Sequence, residues 1–483
     1  MKRVWWLVVT AILMAAGVAA VRTAALRSRQ VAPGTVADIT IDAHAAATRL
    51  AAALTFQTIS WGDPARRDGA AFLALHAYLA STFPRVAQTL TRETIADYSL
   101  LYTWTGARTD LPPLILCAHF DVVPAENTAD ASWTHPPFSG VVDSERVWGR
   151  GAVDDKSSAV GILEAAEALI ASGARPQRTI YFAFSHTEED DTSGATAIAR
   201  TLAGRGVRGA WLLDEGGLIV STVPGVSSPV AFVGLTEKAA VTLELVAEAA
   251  GGHAAMPPRE TAVGILARAL DRLERHPMPE RLDGVTREMF ETLAPEMRWP
   301  MRAAFANLWA TRPLITRMLA RRPDTDALIR TTTAPTMLSA SPKINVLATS
   351  ARAAVNFRLL PGDTTDTLVA HVTSVVDDPR VKIRVAGDSG TPPPVSRTDV
   401  PEYAALARAV RAAHPDVLVA PFLTTAATDA RVYASIAPHT YRLLPVYQEG
   451  TVQMIHGVNE SIRIDAYERA VRTYATLMLS ADR

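Results

Sequence analysis

Three short apolar runs, separated by segments with helical spacing, constrain the fold of this 483-residue chain most strongly. Each run has the length of a buried strand, and each is followed closely by histidine or acidic residues. The runs are residues 114–118, 178–185 and 209–213, and the side chains that follow them are His119 and Asp121, Glu188 and Glu189, and Asp214 and Glu215. Strands that alternate with helices indicate an α/β fold with a doubly wound, mostly parallel sheet. In such a sheet the ligand site lies beyond the carboxyl ends of the strands, so we expect these polar side chains to meet there.

A second pattern marks a smaller domain inside the first. Residues 241–248 and 351–359 alternate apolar and polar positions as half-buried strands do, and residues 262–273 have the spacing of an amphipathic helix. We predict an inserted, smaller α/β lid domain, and we assign the extra helices of residues 276–335 to it. The predicted catalytic domain consists of two segments, residues 41–235 and 362–483, with the lid at 236–361 between them and helices at 401–413 and 464–480.

The N-terminus carries one long apolar segment. Lys2 and Arg3 precede an uncharged run at residues 4–21. That run would measure about 27 Å as a helix, close to the roughly 30 Å hydrocarbon core of a bilayer. We predict a single uncleaved signal anchor at residues 1–21 and a polar tether at 22–40, with the catalytic body outside the cytoplasm. The alternative is a cleaved signal peptide and a secreted protein.

Charge and cysteine content exclude two classes of function. Lys plus Arg number 48 against 49 Asp plus Glu, so no basic excess is present for nucleic-acid binding. The only cysteine is Cys117, which excludes an intrachain disulfide and a cysteine-rich zinc site. Any bound metal must therefore be held by His, Asp and Glu.

Six motifs carry the residue types that metal-assisted amide hydrolysis needs. A two-metal site requires a bridging carboxylate, His and carboxylate ligands on each side, and a base that is not itself a ligand. The motifs are His119-Phe120-Asp121, Gly149-Arg150-Gly151-Ala152-Val153-Asp154-Asp155, Glu188-Glu189, Asp214-Glu215-Gly216-Gly217, Gly251-Gly252-His253 and His456-Gly457-Val458-Asn459-Glu460. Taken singly, each has an ordinary structural explanation: a core histidine, a solvated acidic pair or a glycine turn.

In this order and spacing the motifs resemble the zinc-dependent M20 metallopeptidases and aminoacylases, from about residue 45 to the C-terminus. The resemblance is strongest to the branch of carboxypeptidase S and the N-fatty-acyl-amino-acid hydrolases. It implies two Zn²⁺ ions per subunit. One ion would be held by His119 and Asp214, the other by Glu189 and His456, with Asp154 bridging them. Asp155 competes for the bridging role, but the motif spacing favours Asp154.

The same resemblance assigns the remaining roles. Glu188 would be the general base, Asp121 would orient His119, and His253 on the lid would stabilise the oxyanion. In such enzymes that histidine comes from a partner subunit, which implies a possible homodimer through the lid. Substrate-binding positions are implied at Asn345, Arg358, Thr428 and Arg431. One departure is Thr187, where the family often has Asp.

The resemblance implies an enzyme that cleaves N-acyl amino acids, or the C-terminal residue of peptides, through a zinc-bound hydroxide. Two alternatives stay open. One is a dipeptidase on the same scaffold, distinguished by a requirement for a free α-amine. The other is a catalytically silent binding protein, which loss of Glu188 or of a metal ligand would have indicated; all of these residues are present.

Overall fold

A computed structural model describes residues 1–125, 132–387, 390–448 and 455–480. The helices are α1 (Lys2–Ala25), α2 (Ala43–Leu54), α3 (Gly69–Thr82), α4 (Pro84–Thr89), α5 (Lys156–Ala171), α6 (Ser193–Gly204), α7 (Ala262–Arg275), α8 (Gly284–Leu293), α9 (Met301–Ala306), α10 (Leu308–Leu319), α11 (Pro323–Asp326), α12 (Thr365–Val376), α13 (Pro401–Ala413) and α14 (Ile464–Ser480).

The strands are β1 (Thr91–Ile95), β2 (Ser99–Trp104), β3 (Leu114–His119), β4 (Val141–Val142), β5 (Arg146–Trp148), β6 (Ile180–Ser185), β7 (Trp211–Asp214), β8 (Ile219–Val220), β9 (Val230–Glu237), β10 (Ala239–Glu248), β11 (Gly252–His253), β12 (Thr332–Ser339), β13 (Val346–Leu347), β14 (Ser350–Leu359), β15 (Val381–Ala386), β16 (Leu418–Thr424), β17 (Thr440–Arg442), β18 (Tyr447–Gln448) and β19 (Ser461–Arg463).

The large sheet confirms the predicted α/β fold. Within the described residues its strand order is β1-β2-β6-β3-β7-β17-β9-β8-β18, with β16 beside β9. The three apolar runs are β6, β3 and β7, which are adjacent and parallel. Every residue of β3 and β7 is buried. The polar residues that follow these strands therefore lie together at the carboxyl ends of the parallel strands.

The lid has its own sheet and its own apolar core, and it extends past the predicted boundary at residue 361. Its strand order is β12-β14-β10-β15. Strand β15 pairs with β10 over residues 381–386, and α12 buries Leu368, Val372 and Val376 in the lid core. Because β10 is paired on both sides, residues 362–386 belong to the lid sheet rather than to the second segment of the catalytic domain.

The helical segment α8–α11 packs on the catalytic domain, although its position in the sequence predicted that it would belong to the lid. Leu293 and Leu319 lie in the catalytic core. Phe290 of α8 stacks on Phe305 of α9 with ring centroids 4.4 Å apart. Helix α8 packs on β16 of the large sheet, so the buried faces of α8–α10 contribute to the catalytic core rather than to that of the lid.

The segment predicted as a tether is fastened to the catalytic domain. Gln30 Nε2 donates to the main-chain oxygen of Val419 at 3.0 Å, and the main-chain N–H of Val419 donates to Gln30 Oε1 at 2.8 Å. Further along, the N–H of Ala37 donates to the hydroxyl of Thr476 at 3.0 Å. The side chain of Gln30 thus binds the edge of β16 in the way a neighbouring strand would.

Candidate metal centre

His119 ends β3, the central strand, and its ring is almost fully buried. Nδ1 lies 2.9 Å from the main-chain oxygen of Asp121. Because a carbonyl oxygen can only accept, Nδ1 carries a proton. Nε2 donates to Asp154 Oδ1, 2.9 Å away. Burial opposes the charged ring, but hydrogen bonds to Asp121 and Asp154 raise the pKa of His119 well above its ordinary value. With Nδ1 bonded to the main chain, Nε2 is the nitrogen that a metal would bind in place of a proton.

The carboxylate of Asp121 holds the loop that follows β6. Its Oδ2 accepts from the hydroxyl of Ser60 at 2.7 Å and from the N–H of Glu189 at 3.0 Å. Its Oδ1 accepts from the N–H of Glu188 at 3.2 Å. Burial opposes the charged form, but these bonds and the neighbouring His119 lower the pKa of Asp121. Asp121 therefore ties His119 to the Glu188-Glu189 pair.

Asp154 lies between the two histidines. Its Oδ1 is 2.9 Å from His119 Nε2, and its Oδ2 is 3.0 Å from His456 Nε2. Glu189 Oε1 is 3.1 Å from the same nitrogen of His456. Burial raises the pKa of Asp154, but hydrogen bonds from both imidazoles outweigh it and lower the pKa. Asp155 points away, with Oδ2 at 3.4 Å from the main-chain nitrogen of His119.

The turn that presents Asp154 is held by Glu460, a buried carboxylate near the end of the chain. Its oxygens accept from the N–H groups of Gly151, Val153 and Asp154 at 3.0, 2.8 and 3.1 Å, and from the guanidinium of Arg150 at 2.7 Å. Arg150 also donates to the main-chain oxygen of His456 at 3.1 Å. The pair thus locks the Asp154 turn to the His456 loop.

Asp214 and Glu215 take different places at the end of β7. A carboxylate oxygen of Glu215 lies within 4.8 Å of the ligand atoms of His119 and Asp154. Asp214 is buried, and its Oδ2 accepts the N–H of Ala430 at 2.6 Å. Successive residues leaving a strand point to opposite sides, so only one of the two can face the site. The resemblance assigned the ligand role to Asp214; the structure brings Glu215 to His119 and Asp154 instead.

The carboxyl groups outnumber the cations available to them. Burial, together with neighbouring negative charges, raises the pKa values of Glu188 and Glu215 well above the ordinary range. Burial and the charge of Asp214 raise the pKa of Asp429 to about 8. Both oxygens of Asp429 lack a hydrogen-bond partner among the described residues. Such a surplus of buried carboxylates favours a bound cation.

The donor set fits a divalent metal. In the described part of the chain, ligand atoms within 4.8 Å of one another form the sets His119, Asp154 and Glu215; His119, Glu188 and Glu189; and Asp154, Glu189 and His456. Imidazole nitrogens with carboxylate oxygens suit zinc. Asp154 is common to the first and last sets.

A cavity of about 600 Å³ opens over these side chains. Its polar wall contains Glu188, Glu189, Glu215, Arg358 and Arg431. Its apolar wall is formed by Leu218, Val220, Phe232, Phe422, Leu444 and Ile455. One cavity therefore contains the candidate catalytic groups, two arginine residues and six large apolar side chains.

The implied substrate-binding positions separate into two groups. Arg358, Thr428 and Arg431 line the cavity. Asn345 lies on the lid, where its main-chain oxygen accepts the N–H of Ala254 at 3.1 Å. The adjacent His253 is exposed on β11 and is not among the cavity-lining residues described.

Reasoning from the sequence missed two parts of this site. Glu215 was overlooked because its neighbour Asp214 was preferred for the same role. The buried pair of Arg442 and Glu237 was also missed: Arg442 Nε donates to Glu237 at 2.7 Å, and Glu237 accepts from the hydroxyl of Thr428 at 2.8 Å. Glu237 ends β9 and Arg442 ends β17, and a charged residue at the end of a buried strand gives little sequence signal of such a pair.

Comparison with known proteins agrees with this geometry. Peptidase family M20/M25/M40 matches residues 115–480. The probable carboxypeptidase S-like 2 of Dictyostelium discoideum is 41% identical over 444 residues, covering 90% of this chain and 85% of that protein. The human N-fatty-acyl-amino acid synthase/hydrolase PM20D1 is 38% identical over 413 residues, covering 84% and 82%. The solved structure of the di-peptidase Dug1p of Saccharomyces cerevisiae superposes with a TM-score of 0.63 at 15% identity, covering 91% and 96%.

The structural likeness supports the fold, and the sequence likeness supports the activity class. The relatives are hydrolases by name, and enzymes of this family use metal ions, typically zinc. The motif order, the convergence of imidazoles and carboxylates at the sheet edge, and the match over most of the chain lead to one conclusion. This protein is a hydrolase that belongs to peptidase family M20/M25/M40.

Proposed function

We propose that this enzyme hydrolyses the amide bond of N-acyl amino acids with a long apolar acyl chain, at a centre of two zinc ions. The observation that carries the proposal is the composition of the cavity, in which the candidate catalytic groups share one space with apolar side chains and Arg358. An acyl chain gains free energy from apolar contacts, and an amino-acid carboxylate gains it from a guanidinium. The name of the human relative points to the same substrate class.

The metal ligands follow from the sets of donor atoms in the candidate metal centre. His119, Asp154 and Glu215 would hold one zinc, and Asp154, Glu189 and His456 the other. When bound, the two ions would polarise the amide carbonyl and make a water molecule a strong nucleophile near neutral pH.

We assign the role of general base to Glu188. It lines the cavity, is held at its main chain by Asp121, and belongs to a set with His119 and Glu189. Burial raises the pKa of Glu188, so its carboxylate is a stronger base than an exposed one. The carboxylate form would take a proton from the attacking water, and the resulting acid would pass that proton to the leaving nitrogen. Arg358 would bind the carboxylate of the amino-acid moiety and so orient the amide.

The first experiment compares three substrates with the zinc-loaded full chain: N-acetyl-leucine, a long-chain N-acyl-leucine and Gly-Leu. We expect fastest release of leucine from the long-chain substrate, and loss of at least about 100-fold in kcat in Glu188→Gln, since removing a general base costs 10²–10⁴-fold. Fastest cleavage of Gly-Leu would instead favour the dipeptidase. Release from none of the three, with metal bound, would contradict the proposal.

The apolar wall provides a sharper test of the acyl chain. Phe422 packs on Phe232 with ring centroids 5.2 Å apart inside the cavity. Loss of this ring in Phe422→Ala should raise KM for the long-chain substrate by about tenfold or more and leave KM for N-acetyl-leucine unchanged. Phe422→Leu is the matched control and should keep most of the affinity. Equal effects on both substrates would show that the ring does not contact the acyl chain.

The choice of ligand at the end of β7 can be tested separately. Glu215→Gln should lose one of the two zinc ions, measured by elemental analysis of the dialysed protein. Asp214→Asn should retain both ions, because its oxygen accepts a main-chain N–H rather than facing His119. The opposite pattern would restore Asp214 as the ligand.

We also propose a homodimer in which His253 enters the active site of the partner. His253 lies outside the lining of its own cavity, and its surroundings expose Met256, Met337, Leu338 and Ile344. Mixed dimers of Glu188→Gln and His253→Ala chains would contain one complete site if the histidine acts between subunits. Activity that returns on mixing these two variants supports the proposal, and activity that stays absent contradicts it.

We propose that α1 anchors the protein in a membrane with the catalytic body outside the cytoplasm. Among the described residues α1 is the one helix long and apolar enough to cross a bilayer, and none of its residues is buried in the protein. Fractionation of cells that produce the full chain, with and without carbonate washing, tests the anchor. Release of the whole protein by carbonate, or its recovery in the medium, would favour the secreted alternative.

A further inference from the structure

The segment of residues 297–323, which contains α9 and α10, is the most basic stretch of the chain. It contains Arg298, Arg302, Arg312, Arg317, Arg321 and Arg322, and it has no Asp or Glu. The whole chain, by contrast, has a formal net charge of −1. Positive charge is therefore concentrated on one small structural unit. This unit does not line the cavity of the candidate metal centre.

Helix α10 turns large apolar side chains towards solvent. Leu314 and Met318, one turn apart, are 69% and 41% exposed and form a short exposed stripe. Trp309, at the start of the helix, is 56% exposed on a different side, while Ile315 and Leu319 are buried in the catalytic core. The exposed stripe also carries Arg317, one turn from Leu314. Trp299, just before α9, is 78% exposed. Large apolar side chains on the exposed face of a helix indicate that this face contacts another apolar surface.

The position of α1 identifies that environment. The last turns of α1 are bound to the junction of α9 and α10: Arg22 Nε donates to the main-chain oxygen of Ala306 at 3.2 Å, and Asn307 Nδ2 donates to that of Ala19 at 3.2 Å. Trp309 Nε1 in turn donates to Asn307 Oδ1 at 3.1 Å. Helix α10, with its exposed Trp309, therefore begins where the apolar run of α1 ends.

We propose that α9 and α10 form a membrane-docking face that rests on the surface of a bilayer containing anionic lipids. Trp309 at the start of α10 suits the level of the headgroups, and Leu314 and Met318 suit the acyl boundary. Arg317 and Arg321 are exposed and available to anionic headgroups, whereas Arg322 pairs with Asp324 at 2.8 Å. The inference rests on the proposed anchoring of α1 in a membrane, but it does not depend on the proposed substrate, because the face lies outside the residues that line the cavity.

The docking face would fix how the catalytic domain stands on the membrane. A single spanning helix by itself leaves the attached domain free to tilt about its exit point. A second contact along α10 removes this freedom and holds the domain in one orientation towards the lipid.

The test uses the full chain in vesicles and a dye that reports contact with lipid. The single native cysteine, Cys117, is 4% exposed, so a cysteine introduced at position 314 can be labelled selectively. We expect the label on Leu314→Cys to be quenched by a lipid-borne quencher in phosphatidylcholine vesicles that contain phosphatidylglycerol. Adding Arg317→Glu and Arg321→Glu should reduce this quenching at least twofold.

Leu73→Cys supplies the matched control. Leu73 is 55% exposed on α3, which packs near Tyr98 before β2, whereas α8 packs on β16 towards the other end of the sheet. Its label should stay unquenched. A label at 314 that behaves like the one at 73 would overturn the proposal. Shielding at 314 that depends on protein concentration and not on the lipid quencher would also overturn it, since the face would then bind a second copy of the chain.

Discussion

At the scale of single residues, the candidate site depends on carboxylates that hold the candidate ligands in place without lying among them. Glu460 is the main example, because its side chain accepts from the main-chain N–H groups of Gly151, Val153 and Asp154 and from Arg150. Burial raises the pKa of Glu460, and Arg150 opposes that shift. Its role is to position Asp154 rather than to touch the substrate.

Replacing Glu460 with Gln should therefore weaken metal binding and activity together. The amide offers one oxygen where the carboxylate offers two, so the turn before Asp154 loses some of its support. Outer-shell changes of this kind typically cost 10–100-fold in metal affinity or activity. Competition with a chelator measures the affinity, and Glu274→Gln on the exposed face of α7 is the control. Unchanged affinity with lost activity would point to a different role.

His456 should make zinc binding dependent on pH. Hydrogen bonds to Asp154 and Glu189 raise the pKa of His456 to about 10 in the metal-free protein. Below that pH the ring is protonated, and a bound metal must displace the proton. The apparent affinity for zinc should therefore fall as the pH falls from about 10 towards 7, by up to tenfold per unit for one displaced proton.

Calorimetric titration in two buffers of different ionisation enthalpy measures the protons released. At pH 8 the native protein should release about one proton more per chain than His456→Gln, because that variant lacks the group that titrates. Equal release by both proteins would place the displaced proton on another residue.

At the scale of elements, the positions of strands and helices were predictable from the sequence, but the attachment of the N-terminal segment to the catalytic domain was not. Leu114, Ile115 and Leu116 are apolar and fully buried, as a strand in the middle of a parallel sheet requires. The helices α13 and α14 have the bounds that their apolar spacing predicts. By contrast, the attachment of residues 26–41 to the catalytic domain has no local signature, since its hydrogen bonds reach residues about 380 to 440 positions away.

Gln30→Ala tests whether this attachment matters. The substitution removes two hydrogen bonds to Val419 at the edge of β16. We expect a loss of about 1 kcal/mol in the free energy of unfolding and faster proteolytic cleavage between residues 26 and 36. Gln88→Ala on α4, an exposed glutamine, should change neither quantity. If cleavage is equally slow in both variants, the segment is held by other contacts.

At the scale of the whole molecule, the apolar cores of the catalytic domain and of the lid divide the chain differently from its sequence order. The catalytic core includes Phe290, Phe305 and Ile329, which lie between the two halves of the lid. The lid core combines residues before and after them, such as Leu266 and Phe357. The segment α8–α11 thus lies between two parts of the lid in sequence, but it packs on the catalytic domain.

This division predicts which domain a core substitution weakens. None of the nine tryptophans lies within residues 239–275 or 332–386, so tryptophan fluorescence reports on the rest of the protein. Phe290→Ala should destabilise the fluorescence-monitored transition by about 3–5 kcal/mol. Phe357→Ala, in the lid core, should act mainly on the transition seen by far-ultraviolet circular dichroism. Equal shifts of both transitions in both variants would show that the cores unfold as one.

The sequence by itself predicted the strands and the His and acidic residues that follow them, because burial pattern and strand ends are local properties of the chain. Only the tertiary structure decided which of Asp214 and Glu215 lies near His119, how Glu460 supports the turn of Asp154 and where α8–α11 pack. Each of these depends on where residues distant in sequence meet. The N–H of Ala430 binds the carboxylate of Asp214, and four donors bind that of Glu460. Strand β16 provides the surface on which α8 packs. Adjacent residues of the same type carry no local signal of which one faces the site.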